Sequence, residues 1–134
     1  MMDHKYRILL AEDYPSNREF VTLLLRNEGF AVDAVPDGEA AWLLYQTHPT
    51  YHLVLTDQEM PNLEGTGLAR KIAELDRRIG QETPIIIMSG LQSVQDDNSQ
   101  VKAYLRKPFS TENLVATIHE ILNPTPLAKR TQRS

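Results

Sequence analysis

The chain predicts an α/β fold, a doubly wound parallel sheet of five βα units. Short β-rich runs alternate with helical patterns five times along 134 residues. Strands that alternate with helices are joined by right-handed crossovers and lie parallel. The run Ile85-Ile86-Ile87-Met88 after Pro84 is apolar without alternation, as a central strand covered on both faces requires. Units of this number and size fit the strand order 2-1-3-4-5.

Tyr6 to Ala11 is the first strand, and a helix follows from about Pro15 to Asn27, where Gly29 stops it. Phe30 to Val35 alternates as a second strand, and Asp37-Gly38 opens a helix reaching Thr47. His52 to Thr56 is the third strand, ending at Asp57 and the turn Met60-Pro61. Leu68, Ile72 and Leu75 recur at helical spacing from about Gly65 to Arg78. After the fourth strand, Gly90 to Lys102 is polar, with only Leu91 and Val101 as large apolar residues near its ends and Val94 alone between them. It lacks the stripe a core-facing helix needs, so a loop or irregular turn is expected and the fourth helix is shortened or missing. Ala103-Tyr104-Leu105 is a short last strand, and Thr111 to Leu122 closes the domain as a helix. Residues 1–122 form the domain; 123–134, with two prolines and three basic residues, read as a flexible C-terminal tail.

Composition narrows the functions. The chain is 41% hydrophobic and 24% charged, as in ordinary soluble proteins, and its net charge of −4 offers no basic surface for nucleic acid. Without cysteine there are no disulfides, thiolate metal sites or thiol nucleophiles. No apolar stretch approaches a bilayer span or a signal peptide, so a cytoplasmic protein is expected. The four histidines are scattered without ligand spacing.

In the order 2-1-3-4-5 the ends of strands one and three are neighbours, so Glu12, Asp13 and Asp57 share one crevice at the switch point. Three carboxylates so placed must share a proton or hold a cation. Oxygen ligands alone favour Mg2+, which binds one or two carboxylates together with a phosphate. Lys107 brings a compact positive charge to the same rim, and Ser89 a hydroxyl. A metal, a carboxylate, a lysine and a hydroxyl suit transfer of a phosphoryl group onto Asp57, chemistry that is mostly positioning and charge stabilisation.

The motifs Ile8-Leu9-Leu10-Ala11-Glu12-Asp13, Asp57-Gln58-Glu59-Met60-Pro61 with Gly65, Ser89-Gly90 and Lys107-Pro108-Phe109 together resemble a response regulator receiver domain, from Tyr6 to about Leu122. The resemblance implies the flavodoxin-like (βα)5 fold and a two-component or phosphorelay signalling role. It implies that Asp57 is the phosphoacceptor, and that Asp13, Asp57 and the backbone carbonyl of Glu59 hold Mg2+, with Glu12 assisting through water. It implies that Lys107 and Ser89 contact the phosphoryl group, that Ser89 and Tyr104 are the switch residues, and that the bond before Pro108 is cis. Pro61, Gly65 and Pro108 shape the turns. The donor would be a histidine kinase or a histidine phosphotransfer protein; the stretch Asp13-Tyr14-Pro15-Ser16-Asn17-Arg18 is similar to receivers of phosphorelays and hybrid kinases. Such a domain catalyses only its own phosphorylation and dephosphorylation.

The chain departs from the family in the polar Gly90–Lys102 segment, in Gln58, and in Glu59, a carboxylate beside the phosphorylation site. A pseudo-receiver, an interaction module with lost or altered switching, is therefore the alternative. A small phosphohydrolase using Asp57 as nucleophile is disfavoured, because such enzymes usually need a second aspartate where Glu59 stands.

Overall fold

In a computed structural model, described for residues 6–90 and 96–124, the elements run β1 (Arg7–Ala11), α1 (Pro15–Asn27), β2 (Ala31–Val35), α2 (Gly38–Thr47), β3 (Leu53–Asp57), α3 (Gly65–Ile79), β4 (Ile85–Ser89), β5 (Val101–Arg106) and α4 (Thr111–Leu122). The strands form one parallel sheet in the order β2-β1-β3-β4-β5. This is the expected α/β architecture, and four helices are present among the described residues.

The period of two along each strand divides the core. Ile8 and Leu10 of β1, Leu53 and Leu55 of β3, and Ile86 and Met88 of β4 face Val21 and Leu25 of α1 and Leu114 and Ile118 of α4. Leu9, Val54, Ile85 and Ile87 point the other way, onto Ala41 and Tyr45 of α2 and Leu68, Ala69 and Ile72 of α3. β3 and β4 are buried along their whole length, which explains their unbroken apolar runs.

Local chemistry sets the helix ends. Pro15 starts α1, where a missing N–H costs nothing. Asp37 accepts from Ala40 N at 2.7 Å and Ser110 from Asn113 N at 3.0 Å, so both are N-caps. Gly80 takes a left-handed conformation (φ 75°) to end α3.

The connection between β4 and β5 differs in detail from the expected boundaries. Residues 96–100 are non-helical, in keeping with a missing fourth helix; 91–95 lie outside the described residues, as does most of the expected tail, 125–134. Val101 and Lys102, however, belong to β5 and not to the loop. Val101 pairs with Ile85 and Ala103 with Ile86, and a register shift between these pairs absorbs Lys102. β5 is an edge strand with alternate residues facing out, so charged Lys102 and Arg106 fit a strand that composition alone shortens.

A buried carboxylate pins the return of this connection. Asp76, fully buried near the end of α3, accepts from Tyr45 Oη (2.5 Å) and Gln81 Nε2 (3.1 Å) on one oxygen. Thr83 N (2.8 Å) and Gln100 Nε2 (2.9 Å) donate to the other. Burial, with Asp76 accepting its proton, pushes the Tyr45 hydroxyl up to about 12.

Candidate functional site

At the carboxyl edge of the sheet, Ala11 pairs with Thr56 and Asp57 with Met88, so three strand ends converge. Glu12, Asp13 and Asp57 each offer a carboxylate oxygen, and these atoms lie within 4.8 Å of one another. Glu12 and Asp57 are 2% and 1% exposed, whereas Asp13 faces solvent. The loop after β5 carries Lys107 into the cluster: its Nζ is 2.5 Å from Asp57 Oδ1 and 3.8 Å from Glu12 Oε1. The Lys107–Pro108 bond is cis.

Neighbouring groups hold this geometry. Tyr14 N donates to Glu12 Oε2 (3.1 Å), and Arg18 Nη1 donates to the carbonyls of Glu12 (3.0 Å) and Asp13 (3.5 Å). Arg18 thus braces the acidic loop from one turn into α1. Gly65 N donates to the Gln58 carbonyl at 3.0 Å, which brings α3 against the end of β3. A Cβ on Gly65 would sit 2.4 Å from the Asp57 carbonyl oxygen, so only glycine fits. Gln58 Oε1 accepts from Thr66 N at 2.8 Å, which gives this polar residue a capping role at α3.

Burial first, and then the neighbouring Glu12, push the Asp57 carboxyl up to about 7 against the pull of Lys107. Lys107 is partly buried, which favours its neutral form, yet Asp57 chiefly, with Glu12 and Glu59, raises it above its usual value. The cluster is therefore short of positive charge. Asp57 Oδ2 is buried without a hydrogen-bond partner among the described residues, and Oδ1 meets only the Lys107 ammonium. An oxygen-only donor set with an unsatisfied buried carboxylate fits a hard divalent cation such as Mg2+.

The remaining candidates lie nearby in other arrangements. Ser89 ends β4, 4% exposed, and its Oγ donates to Glu59 Oε2 at 2.7 Å. Gly90 N donates to Glu59 Oε1 at 3.2 Å. Tyr104 is 40% exposed on β5, with its hydroxyl directed to the Asp96 carbonyl at 3.4 Å. Pro61 lies in the loop after β3, where Asn62 takes a positive φ of 74°. The side-chain bond of Glu59 and the bracing by Arg18 were not foreseen. In the sequence Arg18 carries only a subclass resemblance, and Glu59 stands out for its charge and for the backbone carbonyl expected to hold Mg2+, not for a side-chain bond.

A doubly wound sheet with acids at its first and third strand ends and a lysine after its fifth defines a receiver-type site. Residues 8–119 match the response regulator receiver domain family, and the chain belongs to it. It is 34% identical over 124 residues to the 3',5'-cyclic-nucleotide phosphodiesterase regA of Dictyostelium discoideum, covering 88% of this chain and 15% of that protein. With the response regulator receiver protein CpdR of Brucella abortus it shares 33% identity over 120 residues, 87% of this chain and 96% of CpdR. The chain spans about half the length of several other curated relatives, 54% in the case of response regulator ArlR of Staphylococcus saprophyticus. Among solved structures, the receiver domain of sensor histidine kinase PA1611 from Pseudomonas aeruginosa, which holds a magnesium ion in its active-site cleft, is 30% identical with a TM-score of 0.75, covering 87% of this chain and 97% of that one. No helix among the described residues is long and apolar enough to cross a membrane.

Proposed function

We propose that the chain is a phosphoacceptor that takes a phosphoryl group onto Asp57 from a phosphohistidine donor in a Mg2+-dependent reaction. The observation that carries this reading is the Asp57 carboxylate, buried at the end of a central strand, ion-paired to Lys107 and clustered with two further acids. Asp13 and Asp57 would hold the metal with the Glu59 carbonyl, and Glu12 would assist through water. Bound there, Mg2+ supplies charge neutralisation for the phosphoryl oxygens.

The side chains divide the remaining work. An Asp57 carboxylate oxygen forms the new bond to phosphorus as the bond from phosphorus to the donor imidazole breaks, and the leaving imidazole takes up a proton. Lys107, held by its ion pair at the point of attack, balances charge on the transferred group. Burial of Asp57 keeps competing water away from the carboxylate. Ser89 would supply a hydroxyl to a phosphoryl oxygen, and Tyr104 would turn inward behind it.

The donor's approach has a matching surface. Phe20, Val21 and Leu24 of α1 and Pro108, Phe109 and Leu114 line an apolar cavity of about 400 Å3 that also reaches Glu12 and Lys107. An apolar helix of a histidine kinase or histidine phosphotransfer protein, seated there, would hold its phosphohistidine over Asp57. The test is intact-protein mass after incubation with acetyl phosphate and Mg2+. One added phosphoryl group is expected in the wild type and none in Asp57→Asn; a gain in both, or in neither, refutes the reading. A module with altered switching is the second reading, favoured by the non-helical 96–100 segment and the outward Tyr104.

A further inference from the structure

Glu59 stands two residues beyond Asp57, yet its side chain is spent on the neighbouring strand end. One carboxylate oxygen accepts from Ser89 Oγ at 2.7 Å and the other from the Gly90 N–H at 3.2 Å. The clamp therefore holds the end of β4 by both a side chain and the backbone. Asp57 pairs with Met88, so the clamp ties a residue two beyond Asp57 to the two residues that follow its strand partner. Glu59 itself is exposed and Ser89 is buried, so the carboxylate reaches inward from the surface.

The hydroxyl chemistry makes this contact exclusive. A serine carries one O–H, and a carboxylate can only accept it. A phosphoryl oxygen on Asp57 is likewise a pure acceptor. Ser89 therefore cannot donate to Glu59 and to a phosphoryl group at the same time.

We propose that Glu59 is a positioning residue that holds Ser89 away from Asp57, so that the phosphorylated arrangement forms only when the Ser89–Glu59 bond breaks. The inference rests on the reading of Asp57 as phosphoacceptor. It gives the unusual carboxylate a definite job: it sets how strongly a phosphoryl group must compete for Ser89. Charge-assisted bonds of this kind are strong, but solvent at Glu59 weakens this one, so its removal changes phosphoryl-mimic affinity by about threefold to tenfold.

The experiment is a titration of the full chain with beryllofluoride in Mg2+, followed by calorimetry, on wild type, Glu59→Ala, Ser89→Ala and the double variant. Glu59→Ala should tighten binding about threefold to tenfold where Ser89 is present and leave it unchanged where Ser89 is absent. Glu59→Gln keeps one carbonyl oxygen for Ser89 but cannot also accept from Gly90, so it should fall between. Equal tightening with and without Ser89 would overturn the proposal, because the effect would then be the loss of a charge. Unchanged or weakened binding in Glu59→Ala would overturn it too. Failure of the wild type to bind beryllofluoride would instead refute the phosphoacceptor reading on which it stands.

Discussion

The ammonium of Lys107 sits 2.5 Å from Asp57 Oδ1, joining the loop after β5 to the end of β3 across the intervening β4. This pair is the only cationic contact of the buried carboxylate among the described residues. Lys107→Ala leaves Glu12, Asp13 and Asp57, the proposed metal-binding acids, in place but removes the charge that would meet the phosphoryl group. Phosphorylation by acetyl phosphate should slow by roughly tenfold to a hundredfold, while Mg2+ binding persists. A phosphorylation time course by intact mass, with Mg2+ titrated separately, checks both; an unchanged rate would exclude the role given to Lys107.

In metal-free protein the Asp57 carboxyl, pushed up to about 7 by burial and Glu12, titrates above the 3.8 of an ordinary aspartate. Between those values the folded chain holds a proton that the unfolded chain has released. Stability is therefore highest below the unfolded value and falls as pH rises toward 7, then levels. Asp57→Asn removes this loss. Its melting temperature in chelator should match wild type near pH 4 and exceed it by several degrees near pH 8. Mg2+ should narrow the gap. A difference that does not grow with pH counts against the buried, proton-sharing Asp57.

Asp76 is the fixed point of the α3 end. Asp76→Ala strips partners from Tyr45, Gln81, Gln100 and the Thr83 N–H at once, at a site with no solvent to replace them. The expected loss is about 2–4 kcal/mol in urea unfolding. Gln100→Ala should lose less and raise amide exchange at the start of β5. A loss under about 1 kcal/mol for Asp76→Ala would show that the network adds little.

The alternation of apolar runs and helical stripes made the sheet legible, because β3 and β4 are buried on both faces and α1 opens at Pro15 and stops before Gly29. The proximity of Glu12, Asp13 and Asp57 followed from strand order alone. The start of β5 did not, since an edge strand tolerates Lys102 and a register shift that no composition rule marks. Neither the Asp76 network nor the Glu59–Ser89 bond was legible. Both depend on where one loop falls against another, and a carboxylate near a helix end or beside a turn ordinarily stays in water.

Phe20, 56% exposed on α1, is the most accessible aromatic residue of the cavity beside the site. It makes no part of the Asp57 cluster, so replacing it separates docking from chemistry. Phe20→Glu would place a charge where an apolar helix must seat and should slow transfer from a phosphohistidine donor by about tenfold or more. With acetyl phosphate, which needs no docking surface, the rate should stay within about twofold of wild type, because exposed substitutions of this kind perturb folding little. The measurement is a parallel time course with both donors, using any phosphohistidine protein that phosphorylates the wild type. Equal slowing with both would mean that Phe20 supports the fold of the site. No slowing with the protein donor would move the docking surface elsewhere.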